Sequence, residues 1–286
     1  MSSHTWKIMY SMLRQVDRQI PREGRRKRFS DVQIVAMYLW AVQHDRPQCW
    51  AVDRENYSRV FRPRRLPSRS QFNRRLKSRR CQAVLKGLEA RLAGVPDKSV
   101  LMMDGRVLRV GPYSQDRDAR TGWGGGGYAK GYKLHVIASE NGVILAWRLL
   151  PLNVCEKTVA VELIDQVQPP QLLLADGYYD AGHLYEQVRA CGGQLLTRLP
   201  AKVGGGHRLQ SPGRLRAAEM WVSGEAAPLY RRRDGIERIF SQQSSFGGGL
   251  APLPAWVRGL ERVRRWVGAK MIIYHLRLRN RGKRAA

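Results

Sequence analysis

The most constraining stretch of this chain is a run of three leucines and an alanine at residues 172–175, which ends at Asp176 and Gly177. A short, continuous apolar run is typical of a strand that is buried on both faces. The acid and the glycine then mark the carboxyl end of that strand. Because ligands and catalytic groups gather at this edge of an open α/β sheet, we expect Asp176 to belong to a functional site.

Two other acids stand in related positions. Residues 99–103 form a second, largely apolar run, and it ends at Asp104 and Gly105. Tyr230, Arg233 and Glu237 are separated by three and then four positions, so they share one face if the segment is a helix. An Asp-Gly pair by itself also starts an ordinary turn. Three acids from separate elements, two of them at strand ends, are nevertheless the ligand type that hard divalent cations require.

On these motifs the chain resembles the DDE transposases of bacterial insertion sequences. The resemblance covers roughly residues 99–280 and includes the family pattern of Tyr, two residues, Arg, three residues and Glu, here Tyr230, Arg233 and Glu237. It implies that Asp104, Asp176 and Glu237 are the catalytic residues and hold two Mg²⁺ or Mn²⁺ ions. It also implies that Tyr230 and Arg233 contact DNA, and that the function is metal-dependent DNA cleavage and strand transfer.

One position departs from the family pattern. Members often carry a lysine seven residues after the glutamate, where this chain has Ser244. A DNA-binding protein without catalysis, such as a decayed transposase copy, is therefore an alternative function, and a nuclease of the same fold that only hydrolyses DNA is another. For Arg233, an ion pair with Glu237 four residues later is the alternative to a DNA contact.

The charge balance of the 286-residue chain indicates a polyanionic partner. Lysine and arginine number 51 against 23 aspartates and glutamates, a formal net charge of +28. Nucleic acid is favoured over a membrane because the sequence shows no long apolar span. With the resemblance, we expect double-stranded DNA, namely the element's terminal inverted repeats and the target DNA, bound by a homodimer. The first residues lack the apolar core of a signal peptide, so we expect a cytoplasmic, nucleoid-associated protein.

Residues 1–97 are predicted to form an all-helical DNA-binding region. From residue 59 to residue 80 the chain holds ten arginines or lysines and no acid. Cations neutralise phosphates and amide side chains pair with adenine edges, so this stretch fits the recognition part of a helix-turn-helix. The alternative is a solvated basic face on a plain helical bundle. The predicted DNA contacts are Arg64, Arg65, Arg69, Gln71, Asn73, Arg74, Arg75 and Lys77.

Residues 98–280 are predicted to form the catalytic domain, followed by a basic tail at 281–286. A tight turn at Asn141 and Gly142 predicts a β-hairpin, whereas residues 111–127 are predicted to be a flexible, Gly-rich loop. The alternating patterns give three strands, helix, strand, helix, strand and helix. This order matches a ribonuclease-H-like α/β fold, a mixed sheet flanked by helices. The four cysteines and six histidines are too scattered to predict a zinc site.

Overall fold

The computed structural model describes residues 3–21, 27–199, 211–244, 250 and 252–285. Its helices are α1 (Ser3–Gln19), α2 (Asp31–Gln43), α3 (Arg69–Leu76), α4 (Arg79–Ala93), α5 (Glu156–Val167), α6 (Gly182–Ala190), α7 (Pro212–Val222), α8 (Ala226–Tyr230), α9 (Asp234–Ser244) and α10 (Leu260–Ala285). Its strands are β1 (Val100–Arg109), β2 (Arg120–Trp123), β3 (Tyr128–Ser139), β4 (Ile144–Pro151), β5 (Leu172–Leu174) and β6 (Gln194–Leu196). Within the described part of the chain, no helix is both long and apolar enough to cross a membrane.

The contacts divide the chain into a helical unit and a sheet unit. The helical unit combines residues 1–94, 243–250 and 254–286, and the sheet unit combines residues 95–242 and 251–253. Helix α10 packs against α1, α2 and α4, and its Lys270, only 1% exposed, forms an ion pair with Asp45. The predicted boundary at residue 280 therefore does not coincide with the edge of a compact unit. Helix α10 also includes most of the predicted basic tail.

Helix α2 forms the centre of the helical unit. It is buried along almost its whole length, from Val32 to Val42, because its sequence is apolar on every face. Ser30 caps the helix by accepting a hydrogen bond from the backbone N–H of Gln33. The neighbouring helices α1, α3, α4 and α10 cover it. The predicted all-helical N-terminal region is confirmed in this unit.

A buried ion cluster joins four helices of the helical unit. The Arg80 guanidinium lies 2.6 Å from a carboxylate oxygen of Asp17 and 2.5 Å from one of Asp31. Arg75 lies 2.5 Å from the other Asp31 oxygen and also donates to the backbone carbonyl of Phe29. Two arginines of the acid-free run at 59–80 are thus neutralised inside the protein, by Asp17 of α1 and by Asp31 at the start of α2. Arg75, which we predicted to contact DNA, is engaged in this cluster.

The sheet unit contains one mixed sheet with the strand order β2, β3, β1, β5 and β6. Strand β4 also pairs with β3, at residues 132–138, whereas the short strand β2 pairs with residues 128–131 of β3. Strand β1 runs antiparallel to β3 and parallel to β5, and β5 runs parallel to β6. Strands β3 and β4 form the predicted hairpin, in which Gly142 has a φ of 86°, a value that favours glycine. Helices α5, α6 and α7 pack on the strands. This architecture confirms the predicted ribonuclease-H-like fold class.

Strand β2 was not predicted from the sequence. It lies inside the Gly-rich stretch at 111–127 and pairs with β3 from Arg120 to Trp123. Its residues are mostly exposed, so they lack the apolar alternation that marks a half-buried strand. Gly122 has a packing role there, because a Cβ at this position would lie 2.5 Å from the carbonyl oxygen of Leu152.

The ion cluster predicts that two neighbouring arginines of α3 respond differently to truncation. Replacing Arg75 with Ala removes one charged hydrogen bond to a buried aspartate and one to the backbone carbonyl of Phe29, which we expect to lower the free energy of unfolding by about 1.5–3 kcal/mol. Replacing Arg74, which is exposed, should change it by less than about 0.5 kcal/mol. Urea unfolding of the full chain, followed by tryptophan fluorescence, measures both. Equal losses in the two variants would contradict a structural role for Arg75.

Candidate active site

Strand β1 places Asp104 beside the end of a parallel neighbour. Met102 pairs with Leu174, the last residue of β5, and the same register continued for two residues sets Asp104 next to Asp176. The apolar run ends at Asp104, but the strand itself continues to Arg109 because β3 pairs with it along that whole length. It is β5, on the other side, that stops. The first two acids therefore meet where the parallel pairing runs out.

Asp176 initiates a turn and also faces this gap in the sheet. Its carboxylate accepts a hydrogen bond of 2.9 Å from the backbone N–H of Tyr178 and so caps the 3-10 turn Gly177–Tyr179. A turn-forming role and a role in the site are therefore compatible for this Asp-Gly pair. The cap fixes the backbone that carries Asp176.

From the sequence we considered Tyr230, Arg233 and Glu237 as residues of one helix. In the structure their segment is not a single α-helix. Helix α8 ends at Tyr230, a 3-10 turn covers Arg231–Arg233, and α9 begins at Asp234. Helix α9 approaches the sheet closely at Gly235, where a Cβ would lie 2.9 Å from the Met102 sulfur. This contact brings Arg233 to β1, and its Nη1 lies 3.2 Å from Asp104 Oδ2. Glu237 lies one turn further along α9 and is exposed.

The three acids influence one another electrostatically. The pKa of Asp104 is raised to about 6, mainly by burial. The negative charges of Asp176 and Glu237 also raise it, whereas the Gly105 N–H and the Arg233 guanidinium lower it. Burial alone would lower the pKa of the Arg233 guanidinium. The nearby groups raise it above its ordinary value, and they are Asp104, Tyr230, Asp176 and Glu237. Asp104 is thus a mostly buried carboxyl group that needs positive charge nearby, and Arg233 supplies it in this structure.

Tyr230 packs at the edge of this group. Its ring lies edge-on to Trp221, with the centroids 5.4 Å apart, and the Arg233 guanidinium lies 6.0 Å from its centroid. Burial raises the pKa of the Tyr230 hydroxyl. Tyr230 and Arg233 therefore lie together, although α8, the 3-10 turn and α9 divide their segment. Among the described residues, the ion pair of Arg233 is with Asp104 and not with Glu237.

A second charged network lies next to these acids and was not found from the sequence. Glu156, at the start of α5, forms an ion pair with Lys133 of β3 and accepts a 3.2 Å hydrogen bond from the Tyr179 hydroxyl. Tyr179 belongs to the turn that Asp176 caps, so this network holds that turn against the sheet. Gly105 leaves the space, because a Cβ there would lie 2.9 Å from Glu156 Oε2. The sequence contained one signal for this network, namely Lys133 in a strand that is largely apolar. A lysine that is buried in such a strand requires a partner of opposite charge.

The donor set suits a divalent cation in its chemistry. Carboxylate oxygens are the ligands that Mg²⁺ and Mn²⁺ prefer, and added positive charge would offset the cost of ionising Asp104. Within the described ranges, however, no three acidic, histidine or cysteine side chains lie close enough together to hold a metal ion. In this structure the cation next to Asp104 is the guanidinium of Arg233.

The predicted DNA contacts of the helical unit differ in exposure. Gln71 uses its side-chain oxygen in a capping box with Ser68, and Asn73 is half-buried. Arg75 points into the ion cluster described above. The remaining predicted contacts are exposed and are Arg64, Arg65, Arg69, Arg74 and Lys77.

Comparison with known proteins gave one family. A family model described as "Transposase DDE domain" matches residues 95–276, well over half of the chain. The match covers all three acids and the Tyr-Arg-Glu pattern. It also extends into α10, which packs in the helical unit. A search of curated proteins found no match.

The raised pKa of Asp104 predicts how stability depends on pH. Since the folded-state pKa of about 6 exceeds the ordinary 3.8, the folded protein binds more protons between these values, and stability falls as pH rises through this window. In EDTA at about pH 8, Asp104→Asn should therefore be more stable than wild type by about 1–3 kcal/mol.

The difference should shrink towards about pH 4, where the wild-type carboxyl is mostly protonated in the folded state. Urea unfolding at the two pH values measures it. Glu162→Gln, at an exposed position on α5, is the matched control and should show no such pH dependence. A wild-type protein that is the more stable of the two at the higher pH would contradict the buried, proton-binding state of Asp104.

Proposed function

Since this chain belongs to the family of transposases with a DDE domain, we propose that it cuts DNA and joins DNA strands at a site formed by Asp104, Asp176 and Glu237. The observation that carries this proposal is the position of Asp104. It is a mostly buried carboxyl at the end of the β1–β5 pairing, with its pKa raised in part by the other two acids. Members of this family generally use divalent metal ions, and the same three carboxylates are the proposed ligands for two Mg²⁺ or Mn²⁺ ions.

When bound, two such ions activate the attacking oxygen and stabilise the departing one in an in-line displacement at phosphorus. The protein's own part is positioning. The cap at Asp176 and the network of Glu156, Lys133 and Tyr179 fix the turn at the site. One constellation of this kind serves both hydrolysis and attack by a DNA 3′-hydroxyl, and transposition requires both reactions.

Arg233 is proposed to exchange partners. In this structure its guanidinium neutralises Asp104. With DNA bound, a scissile-strand phosphate becomes the competing anion, and guanidinium groups bind phosphate oxygens well. Tyr230 lies against Arg233 and is proposed to orient it or to contact the same strand. Moving Arg233 to DNA would free Asp104 for a cation, which couples substrate binding to assembly of the site.

The helical unit is proposed to bind the terminal inverted repeats. The exposed cations Arg64, Arg65, Arg69, Arg74 and Lys77 would neutralise phosphates. Asn73, and Gln71 through the amide group that the cap leaves available, would contact base edges. Both ends of an element must be processed together, so we propose a homodimer on DNA, acting on repeats and target DNA in the cytoplasm, at the nucleoid.

One observation favours a second candidate function. Ser244 stands where many family members have a lysine that contacts phosphate. A decayed copy that binds DNA without cutting it is therefore the alternative, and a nuclease limited to hydrolysis shares the same site. Strand-transfer products separate the nuclease from the transposase.

The test is nicking of a supercoiled plasmid that carries the flanking ends of the element, with Mg²⁺, Mn²⁺ or EDTA. Wild type should cut only with a divalent metal, and Asp176→Asn should reduce cutting at least about 100-fold, because loss of a residue that merely supports a metal ligand already costs about 10–100-fold. Gel-shift binding should persist in this variant, because the substitution removes no exposed cation.

Glu219→Gln changes an exposed acid on α7 and is the matched control, which should cut like wild type. Binding without cutting in any metal would identify a decayed copy. Cutting that survives Asp176→Asn would overturn the site assignment.

A further inference from the structure

A cleft of about 700 Å³ lies on the surface of the helical unit, between α1 and the irregular segment at residues 60–64. Five cations line it, and they are Lys7, Arg14, Arg18, Arg62 and Arg64. Among the described residues, no acid lines it. Four of these cations lie outside the surface proposed above for DNA binding, and Arg64 is common to both.

One wall of the cleft is a row of cations on α1. Lys7, Arg14 and Arg18 are exposed and lie at helical intervals of seven and four residues. The only acid in the sequence of α1 is Asp17, and it is buried in the ion pair with Arg80. Like charges four residues apart, as in Arg14 and Arg18, destabilise a helix. The exposed face of α1 therefore carries uncompensated positive charge.

The opposite wall is a segment held in place by its backbone. Arg62 and Arg64 flank Pro63 and both line the cleft. The side chain of Gln33 donates a 2.6 Å hydrogen bond to the carbonyl of Arg65, and Arg54 donates one of 2.9 Å to that of Arg64. The two arginine side chains thus extend from a fixed backbone.

The floor between the walls is aromatic. The Phe61 ring lies with its centroid 4.9 Å from that of Trp6 and 6.0 Å from that of Tyr10. All three residues line the cleft, and Trp6 is almost fully buried. Both walls are therefore anchored to the core, and the spacing of the cations across the cleft is preset.

The five cations differ from the inward-facing arginines of the same unit. Arg75 and Arg80 are paired with aspartates, whereas within the described residues none of the five cleft cations forms an ion pair. The row from Lys7 to Arg18 is about 16 Å long at 1.5 Å per helical residue. A strand of duplex DNA presents a phosphate about every 3.4 Å along its axis, so the row is long enough to reach more than one phosphate.

We propose that this cleft binds the sugar–phosphate backbone of duplex DNA, with α1 providing a second line of phosphate contacts beside the segment at 64–77. The inference rests on the proposed function only in taking DNA as the polyanion. Because the contacts are to phosphates, the cleft adds affinity and register and does not read sequence.

The experiment measures binding of a fluorescein-labelled DNA duplex of mixed sequence to the full-length protein, by fluorescence anisotropy over a series of salt concentrations. The slope of log K against log salt becomes shallower by about 0.9 for each phosphate that the protein no longer neutralises. For Arg14→Ala with Arg18→Ala we expect the slope to become shallower by about 2. The pair Arg14→Lys and Arg18→Lys keeps both charges and should restore most of the wild-type slope.

The matched control replaces two exposed cations of the same unit outside the cleft, Lys86→Ala with Arg279→Ala, and should leave the slope unchanged. Far-ultraviolet circular dichroism checks that each variant is folded. A slope for the Arg14 and Arg18 double variant equal to that of the control would overturn the cleft while leaving DNA binding intact. A wild-type protein that fails to bind the duplex would instead overturn DNA binding itself.

Discussion

The parallel pairing of β1 with β5 is the constraint on which the candidate site depends. It covers only three residues of each strand, whereas β1 continues beside β3 to its end. The gap left beyond β5 is where Asp104 and Asp176 lie, and helix α9 approaches β1 next to it, through the contact of Gly235 with Met102, the last residue of β1 that β5 pairs. A longer β5 would have filled this gap with backbone. The site is therefore a consequence of unequal strand lengths in one sheet.

Positive charge has two separate uses in this chain. Arg75 and Arg80 neutralise buried aspartates and tie helices together, so their charge contributes to folding. The cations of the α1 cleft face solvent without acids and raise the local potential instead. The net charge of +28 sums the two kinds without distinguishing them. The cations that we assign to DNA come from the exposed set.

Arg233 connects the electrostatics of the candidate site to the proposed substrate. A buried carboxyl such as Asp104 is costly to ionise without a nearby cation, and in this structure the guanidinium of Arg233 provides one. A phosphodiester and divalent ions would redistribute these partners, with Arg233 on the phosphate and the ions on the carboxylates. We infer that, through this exchange, the three acids have positive charge nearby both before and after DNA binds.

The sequence by itself determined the apolar strands that lead to Asp104 and Asp176, the hairpin at Asn141 and Gly142, and the order of the motifs, because each depends on local periodicity and turn chemistry. The tertiary structure alone decided which charges are buried and paired. Arg233 meets Asp104 across 129 positions, and Arg75 meets Asp31 across 44. It also decided that α10 packs with the N-terminal helices. The sequence shows that an amphipathic helix needs an apolar surface to pack against and that a buried charge needs an opposite charge. Which helix or which charge that is depends on long-range packing.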